Sequence, residues 1–170
     1  HERRLRYQLR RLFEFYSLKR ASQVVCVTNY LVRYARKYGA KQINVIYNRV
    51  HCQQYSYDRP ESPGSDSSSH TQTILSVGRL TAQKAQDCLI RAIAGLDLNL
   101  ILIGSGERHK ELKHLVKDLG LNDRVRFVPA VPNSEISAYY KSADIFAIAT
   151  HYEGFCIPVL EAMAAGLPIV

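Results

Sequence analysis

The sequence predicts an α/β fold in which helices cover both faces of a parallel sheet. From Thr73 to Val170, short apolar runs alternate with amphipathic segments, and the runs are apolar at every position, as strands buried on both faces are. The apolar fraction of 46% is sufficient for a core. Residues Arg59–His70 lack periodicity and large apolar side chains, which predicts a linker between two parts of the chain.

Before this linker we predict a helix over 2–19, a strand over 23–27, a helix over 29–38 and a strand over 43–47. Leu5, Leu9 and Leu12 recur at helical spacing, and basic residues fill the remaining faces of the first helix. Both predicted strands are short and rich in β-branched residues. Thr28 is placed to cap the second helix, and Gly39 to end it.

After the linker we predict strands over 73–77, 98–103, 125–128 and 145–148, and helices over 85–96, 107–119, 133–141 and 158–165. Asn133 is interpreted as a helix cap, Pro158 fits a first helical turn, and Gly166 is a stop signal. Leu167–Val170 reads as the opening of a further strand. We therefore expect the chain to be a fragment, truncated at its C-terminus.

The charges separate along the chain. Residues 1–60 carry 13 Lys and Arg against three Asp and Glu, whereas residues 61–170 carry ten against 12. The four cysteines are dispersed and form no C-x-x-C pair, so neither a zinc site nor a disulfide framework is expected. No apolar run reaches the length of about 18 residues that predicts a membrane-spanning helix, and no secretory signal is visible.

One glycine and two cations follow the first strand after the linker. Gly78 stands at the predicted carboxyl edge of that strand, where ligands of open α/β sheets bind, and Arg79 and Lys84 follow it. Two cations there suit a diphosphate, although an Arg and a Lys five residues apart are, taken alone, usually part of a solvated surface. Gly104 and Gly106 follow the next strand but lack the third glycine of the dinucleotide fingerprint, so a tight strand-to-helix turn is the alternative.

The last 20 residues carry the strongest signal. Glu153 precedes a short helix that begins near Pro158, and Glu161 lies one turn inside it. The free amides at the start of such a helix favour a phosphate. A carboxylate accepts two hydrogen bonds, which suits the vicinal hydroxyls of a ribose, although Glu161 could instead only compensate the helix dipole.

The string from Glu153 to Glu161 resembles the E-x7-E signature of family 4 glycosyltransferases, which have the two-domain, Rossmann-like GT-B fold. The resemblance implies that residues 1–50 end an N-terminal acceptor domain, 51–72 form the interdomain linker, and 73–170 form the C-terminal nucleotide-sugar donor domain. It extends to the two glycine turns, to Ala143-Asp144-Ile145-Phe146, and upstream to Arg20–Thr28 and Ile46–Val50.

The resemblance also implies roles for individual residues. Arg79 and Lys84 would hold the diphosphate, Glu161 the ribose hydroxyls, and Glu153 a hydroxyl of the donor sugar. Further donor contacts are expected from the glycine turns and from backbone, at Gly78, Gly104, Val131, Phe155, Cys156 and Ile157. Cys156 departs from the family, which often has glycine there, so either a narrower sugar pocket or a shifted specificity is expected.

The implied activity is retaining transfer of a hexose-type sugar from a nucleotide-diphosphate donor to a glycan or lipid-linked acceptor. No cofactor or metal is expected, since no Asp-x-Asp motif is present. The isolated fragment is expected to be inactive. We expect a cytoplasmic protein, with the basic N-terminal helix as a hypothetical contact to the inner face of a membrane. A nucleotide-sugar epimerase of the same fold and a basic nucleic-acid-binding module are the alternatives, although we expect no nucleic-acid partner.

Overall fold

The computed structural model describes residues 2–56 and 71–170. The chain divides into two compact units, His1–Arg49 and Val50–Val170. The predicted linker Arg59–His70 lies outside the described residues.

The first unit contains two helices and a small sheet. Its elements are α1 (Glu2–Arg20), β1 (Val24–Cys26), α2 (Asn29–Lys37) and β2 (Ile43–Val45). The two strands pair in parallel. As predicted, the Thr28 side chain caps α2, because its hydroxyl accepts a hydrogen bond of 3.3 Å from the Leu31 amide. Gly39 follows α2 with a positive φ of 91°.

The core of the first unit is small. Cys26, Ala35 and Ala40 are its buried residues, with a few half-buried apolar side chains against them. Seven large apolar side chains of α1 are exposed: Leu5, Tyr7, Leu9, Leu12, Phe13, Phe15 and Tyr16. Neither α1 nor any other helix in the described part of the chain has the length and apolar character to cross a bilayer.

The second unit begins with α3 (Cys52–Tyr55) and continues as an alternation of strands and helices. The elements are β3 (Thr73–Val77), α4 (Gln86–Ala92), β4 (Asn99–Ile103), α5 (His109–Asp118), β5 (Val125–Val128), α6 (Asn133–Ser142), β6 (Ile145–Phe146) and α7 (Ile157–Ala164). The four strands form one parallel sheet in the order β5-β4-β3-β6. Single 3₁₀ turns precede and follow α4, at Ala82–Lys84 and Ile93–Gly95.

Each face of this sheet packs against a separate apolar cluster. Along β4, Leu100 and Leu102 join helices α4 and α5 on one face, whereas Ile101 and Ile103 join α3, α6 and α7 on the other. This alternation is the period of a strand buried on both faces. The predicted fold class, a Rossmann-like parallel sheet with helices on both faces, is confirmed.

The structure corrects several predicted boundaries and one cap. The helix predicted over 85–96 is shorter. Ala85 adopts a left-handed conformation and precedes the helix, and the last predicted turn is a 3₁₀ turn. Asn133 is the first residue of α6 rather than its cap; Pro132 holds the cap position, with no side-chain hydrogen bond. The predicted opening of a strand at the C-terminus is present as a parallel bridge between Ile169 and Phe146.

Candidate functional site

Two glycine turns meet at the carboxyl edge of β3 and β4. The Gly78 amide donates to the carbonyl oxygen of Ile103 at 2.9 Å, and the Leu80 amide donates to that of Ser105 at 2.9 Å. The first turn therefore continues the pairing of the two strands beyond the sheet. This is the edge at which open parallel sheets bind ligands.

Close packing of these turns explains why both positions of the second turn are glycine. A Cβ atom on Gly104 would lie 2.1 Å from the Gly78 carbonyl oxygen, and one on Gly106 would lie 2.2 Å from that of Leu80. Gly104 also has a φ of +143°, which disfavours any side chain. The tight-turn interpretation of this segment thus accounts for its glycines, and the turn at the same time lines a cavity.

That cavity has a volume of about 420 Å³ and opens at the carboxyl edge of the sheet. Its wall includes six of the predicted site residues: Gly78, Arg79, Gly104, Val131, Ile157 and Glu161. The volume is in the range of small-molecule sites, about 300–1,000 Å³. Arg79 is exposed at the wall, and within residues 2–56 and 71–170 its guanidinium has no ion-pair partner.

The other two predicted catalytic residues, Lys84 and Glu153, lie beside the cavity. Lys84 Nζ forms an ion pair with a carboxylate oxygen of Glu153, and each side chain is about four-fifths buried. The aliphatic stem of Lys84 passes Gly78, since a Cβ built on that glycine would lie 3.6 Å from Lys84 Cε. The structure therefore brings Lys84, Glu153 and Gly78 together, but neither Lys84 nor Glu153 lines the cavity that Arg79 and Glu161 share.

Gln83 joins the two loops that carry this ion pair. Its side-chain amide donates to the Tyr152 carbonyl oxygen at 2.8 Å, and its own carbonyl oxygen accepts from the His151 amide at 2.9 Å. The Thr150 hydroxyl donates to the same Gln83 carbonyl at 3.2 Å. These bonds set the loop before Glu153 relative to Lys84. His151 itself is exposed.

Glu161, on α7, is held by two tyrosines. The Tyr55 hydroxyl donates to one carboxylate oxygen at 2.7 Å, and the Tyr140 hydroxyl donates to the other at 2.7 Å. Both phenols are buried, and burial together with the neighbouring carboxylate raises the pKa of each far above its ordinary value. Both hydroxyls therefore remain donors at any ordinary pH.

The first two residues of α7, Ile157 and Pro158, line the same cavity. Cys156 occupies the cap position without a side-chain cap bond, and Pro158 lies in the first turn as predicted. Burial raises the pKa of the Cys156 thiol above its ordinary value, although a hydrogen bond with the Val159 backbone acts in the opposite direction. Phe155 is half-buried in the preceding loop. Neither Phe155 nor Cys156 lines the cavity.

Sequence reasoning did not find four residues that shape this site: Tyr55, Tyr140, Gln83 and Gln86. Gln86 is buried, and its side-chain amide donates to the Arg79 carbonyl oxygen at 2.8 Å, which fixes the turn that carries Arg79. A polar residue in the first turn of a predicted helix was the available signal for Gln86. Tyr55 lies in the segment predicted as linker, where no pattern marked it.

A larger cavity, of about 550 Å³, lies between α5 and β5, and none of the predicted site residues line it. Exposed Lys110, Lys113 and Lys117 surround it beside an edge strand, where charged side chains commonly prevent further strand pairing. No cluster of three potential metal ligands occurs among residues 2–56 and 71–170. The expectation that no metal is needed stays a prediction.

Comparisons with known proteins agree with this fold. A family model for glycosyl transferases group 1 matches residues 58–170. An uncharacterized glycosyltransferase of Haemophilus influenzae is 43% identical over 103 residues, which cover 58% of this chain and 29% of that protein. A D-inositol 3-phosphate glycosyltransferase of Corynebacterium glutamicum is 35% identical over 112 residues, with coverages of 59% and 27%.

A crystal structure of Anabaena HepE in complex with UDP-glucose superimposes with a TM-score of 0.75 at 25% identity, covering 90% of this chain and 45% of that one. The matched region thus spans less than a third of the two curated relatives and under half of HepE. Because the family model matches more than half of the chain, the predicted resemblance is confirmed, and the chain belongs to the glycosyl transferases group 1 family.

Proposed function

We propose that residues 50–170 form the donor site of a retaining glycosyltransferase that uses a nucleotide-diphosphate sugar. The cavity at the carboxyl edge of β3 and β4 carries this proposal, because it gathers an exposed cation, glycine turns and a carboxylate around one space. Arg79 is the cation, and Glu161 is the carboxylate. HepE, which has the same fold, has been crystallised with UDP-glucose.

The charges fit the parts of such a donor. The diphosphate lies against Arg79, the Gly78 turn and the first amides of α7, where charge-assisted hydrogen bonds contribute about 1.5–3 kcal/mol each. The ribose lies at Glu161, and the base lies toward Val131. The sugar then extends toward the ion pair of Glu153 and Lys84, since the aliphatic stem of Lys84 passes next to Gly78.

In the proposed reaction the bond between the anomeric carbon and the phosphate oxygen breaks, and the acceptor oxygen attacks from the same face. The acceptor's proton passes to the leaving phosphate oxygen. Arg79 and Lys84 stabilise the negative charge that develops on the diphosphate, and Glu153 orients the sugar through a hydroxyl. Removal of one fixed donor of this kind destabilises the transition state by about 2.7–4 kcal/mol.

Binding of UDP, GDP and ADP to the full-length protein tests the donor site. A diphosphate at 100 times its dissociation constant should stabilise the fold by about 2.7 kcal/mol in thermal unfolding. Arg79→Ala should weaken that binding about tenfold or more, as expected for a lost charge-assisted bond. Arg126→Ala is the matched control, because Arg126 is an exposed arginine on the edge strand β5, away from the cavity. Absence of binding by all three diphosphates would contradict the proposal.

Retention is tested separately by the anomeric configuration of the product, read from NMR coupling constants. The same configuration in donor and product supports front-face attack, whereas inversion contradicts it. The acceptor we propose is a glycan or a lipid-linked glycan. The family match does not favour an epimerase or a nucleic-acid-binding module.

The first unit offers a surface for a lipid-linked acceptor. Leu9, Leu12 and Phe13 are exposed on α1 among arginines, a combination that binds anionic interfaces. We propose a peripheral contact with the cytoplasmic face of a membrane. Cosedimentation with vesicles that contain phosphatidylglycerol should be reduced by Phe13→Ser, and equal binding to neutral vesicles would contradict the contact.

A further inference from the structure

We infer that Tyr55 and Tyr140 are positioning residues that aim the Glu161 carboxylate at the two ribose hydroxyls of the donor. The inference rests on the proposed function, since it concerns the nucleotide that the cavity would hold. It adds two residues from outside the signature string, and it assigns them the selection of ribonucleotides.

The geometry fixes both oxygens of the carboxylate at once. Each oxygen accepts one phenolic hydroxyl at 2.7 Å, and the two phenols come from different helices, α3 and α6. A single donor would leave the carboxylate free to rotate about its bond to Cγ, whereas two donors on opposite oxygens define its plane. Glu161 is therefore oriented before any ligand binds.

The tyrosines are themselves held in place. Tyr55 is 4% exposed and Tyr140 is fully buried. Their rings meet edge to face with centroids 5.5 Å apart, and the Tyr140 ring stacks on Phe146 at 5.8 Å. Because buried rings have few alternative rotamers, their hydroxyls stay at fixed points. Burial also maintains the phenols as donors, since it raises the pKa of both.

The arrangement leaves acceptor capacity for a ligand. A carboxylate oxygen has two lone pairs, so each oxygen of Glu161 can accept a second hydrogen bond in addition to that of its tyrosine. Glu161 lines the cavity, so those remaining positions are within reach of a ligand there. Two acceptors at a fixed separation match two vicinal hydroxyls, and they leave one acceptor unused when a deoxyribose binds.

The test compares ribonucleotides with their deoxy forms. UDP, GDP and ADP, each with its 2′-deoxy and 3′-deoxy counterpart, are titrated calorimetrically into the full-length protein. We expect the wild type to bind a ribonucleotide about tenfold or more tightly than its deoxy forms, as for a hydrogen bond to a charged group. Tyr55→Phe and Tyr140→Phe should lower that ratio severalfold, because the affinity for the ribonucleotide falls more than that for the deoxy forms, which make only one hydrogen bond to Glu161.

Tyr139→Phe is the matched control, because it removes a hydroxyl from the adjacent position of α6 that does not contact Glu161. It should keep the wild-type ratio. Should Tyr140→Phe not fold, Tyr55→Phe decides alone. A merely structural role would lower the melting temperature and leave the ratio unchanged, and that result would overturn the inference.

The outcomes also separate this inference from the proposed function. If the wild type binds a diphosphate but neither tyrosine substitution changes the ratio of ribonucleotide to deoxynucleotide affinity, the donor site is supported and the positioning role is contradicted. If the wild type binds none of the diphosphates, the proposed function falls and the inference falls with it.

Discussion

The two units of the chain place their large apolar residues differently. The second unit buries them on both faces of a four-stranded sheet, in two clusters of about ten residues each. The first unit pairs only two strands, has a core of three small residues, and exposes large side chains along α1. Since burial of apolar area is the main favourable term in folding, stability is expected to be concentrated in the second unit, where the candidate donor site lies.

The most direct test of this difference in stability makes the same kind of substitution in both units. Phe146 is fully buried beneath Tyr140, whereas Phe13 is 73% exposed on α1. Phe146→Ala should lower the free energy of unfolding by about 3–5 kcal/mol, because it leaves a cavity in the core. Phe13→Ala should change it by about 0.5 kcal/mol or less. Urea titration measures both, and comparable losses would contradict the comparison.

A second test asks whether the glycine turns are as rigid as their packing indicates. In Gly104→Ala, the new methyl group would collide with the Gly78 carbonyl, which should cost about 3 kcal/mol and distort the cavity. Gly120→Ala is the matched control, because Gly120 also has a positive φ but has open space around it. It should cost about 1–2 kcal/mol, the strain of a left-handed alanine. Thermal unfolding of both variants measures the difference. Equal losses of stability would show that the turns move apart to accommodate the added methyl group.

A third test measures the free energy of unfolding as the pH is lowered. The pKa of Asp87 reflects two opposed causes: burial alone would raise it, but the Arg108 guanidinium, 2.7 Å from its carboxylate, holds it below the usual value. Because the folded pKa is the lower one, the stabilisation is complete above the unfolded pKa of about 3.9. It is lost as the pH falls through the folded value.

Asp87→Asn should therefore lower stability near neutral pH by about 1 kcal/mol or less and flatten its decline below about pH 4. In the first unit, hydrogen bonds from Tyr34 and then Arg10 lower the pKa of Glu14, which is 28% exposed but pairs with an Arg10 side chain that is 79% exposed. Glu14→Gln should alter the acid limb less. Stability measured against pH for both variants checks this, and a larger effect at Glu14 would reverse the expected order of the units.

The fold was predictable where its signals are local. Continuous apolar runs gave the strands, and Thr28, Pro158 and Gly166 marked helix ends that the structure confirms. The helix α3 was missed, because four residues are too few for any periodicity to show.

The contents of the site were predictable to a similar extent. Arg79 and Glu161 stood in recognisable strings, and both line the cavity. Tyr55 could not be foreseen as a partner of Glu161, since 106 residues separate them along the chain and only the packing of α3 against α6 and α7 brings them together. Cys156 was placed in the donor pocket by its neighbours in sequence, and the structure puts it at the cap of α7, outside the cavity wall.

The smallest effect is expected where burial and backbone conformation act in opposite directions. Ala85 has a φ of 44°, the one non-glycine residue with a positive φ in the described part of the chain, and it is buried beside the turn that carries Lys84. Ala85→Gly relieves about 1–2 kcal/mol of left-handed strain. It loses a buried methyl group of about 0.8 kcal/mol and adds about 0.4–1 kcal/mol of freedom to the unfolded chain.

These terms nearly cancel, so Ala85→Gly should change stability by about 0.5 kcal/mol or less. Ala35 in the first unit is equally buried but helical, within α2. There the same substitution has no strain to relieve, and it should cost about 1.5–2 kcal/mol from helix propensity and the lost methyl group. Hydrogen exchange of the α2 and α4 amides reads the two changes separately. Equal losses would mean that the Ala85 turn carries no strain, and that the loop holding Lys84 is stabilised by burial alone.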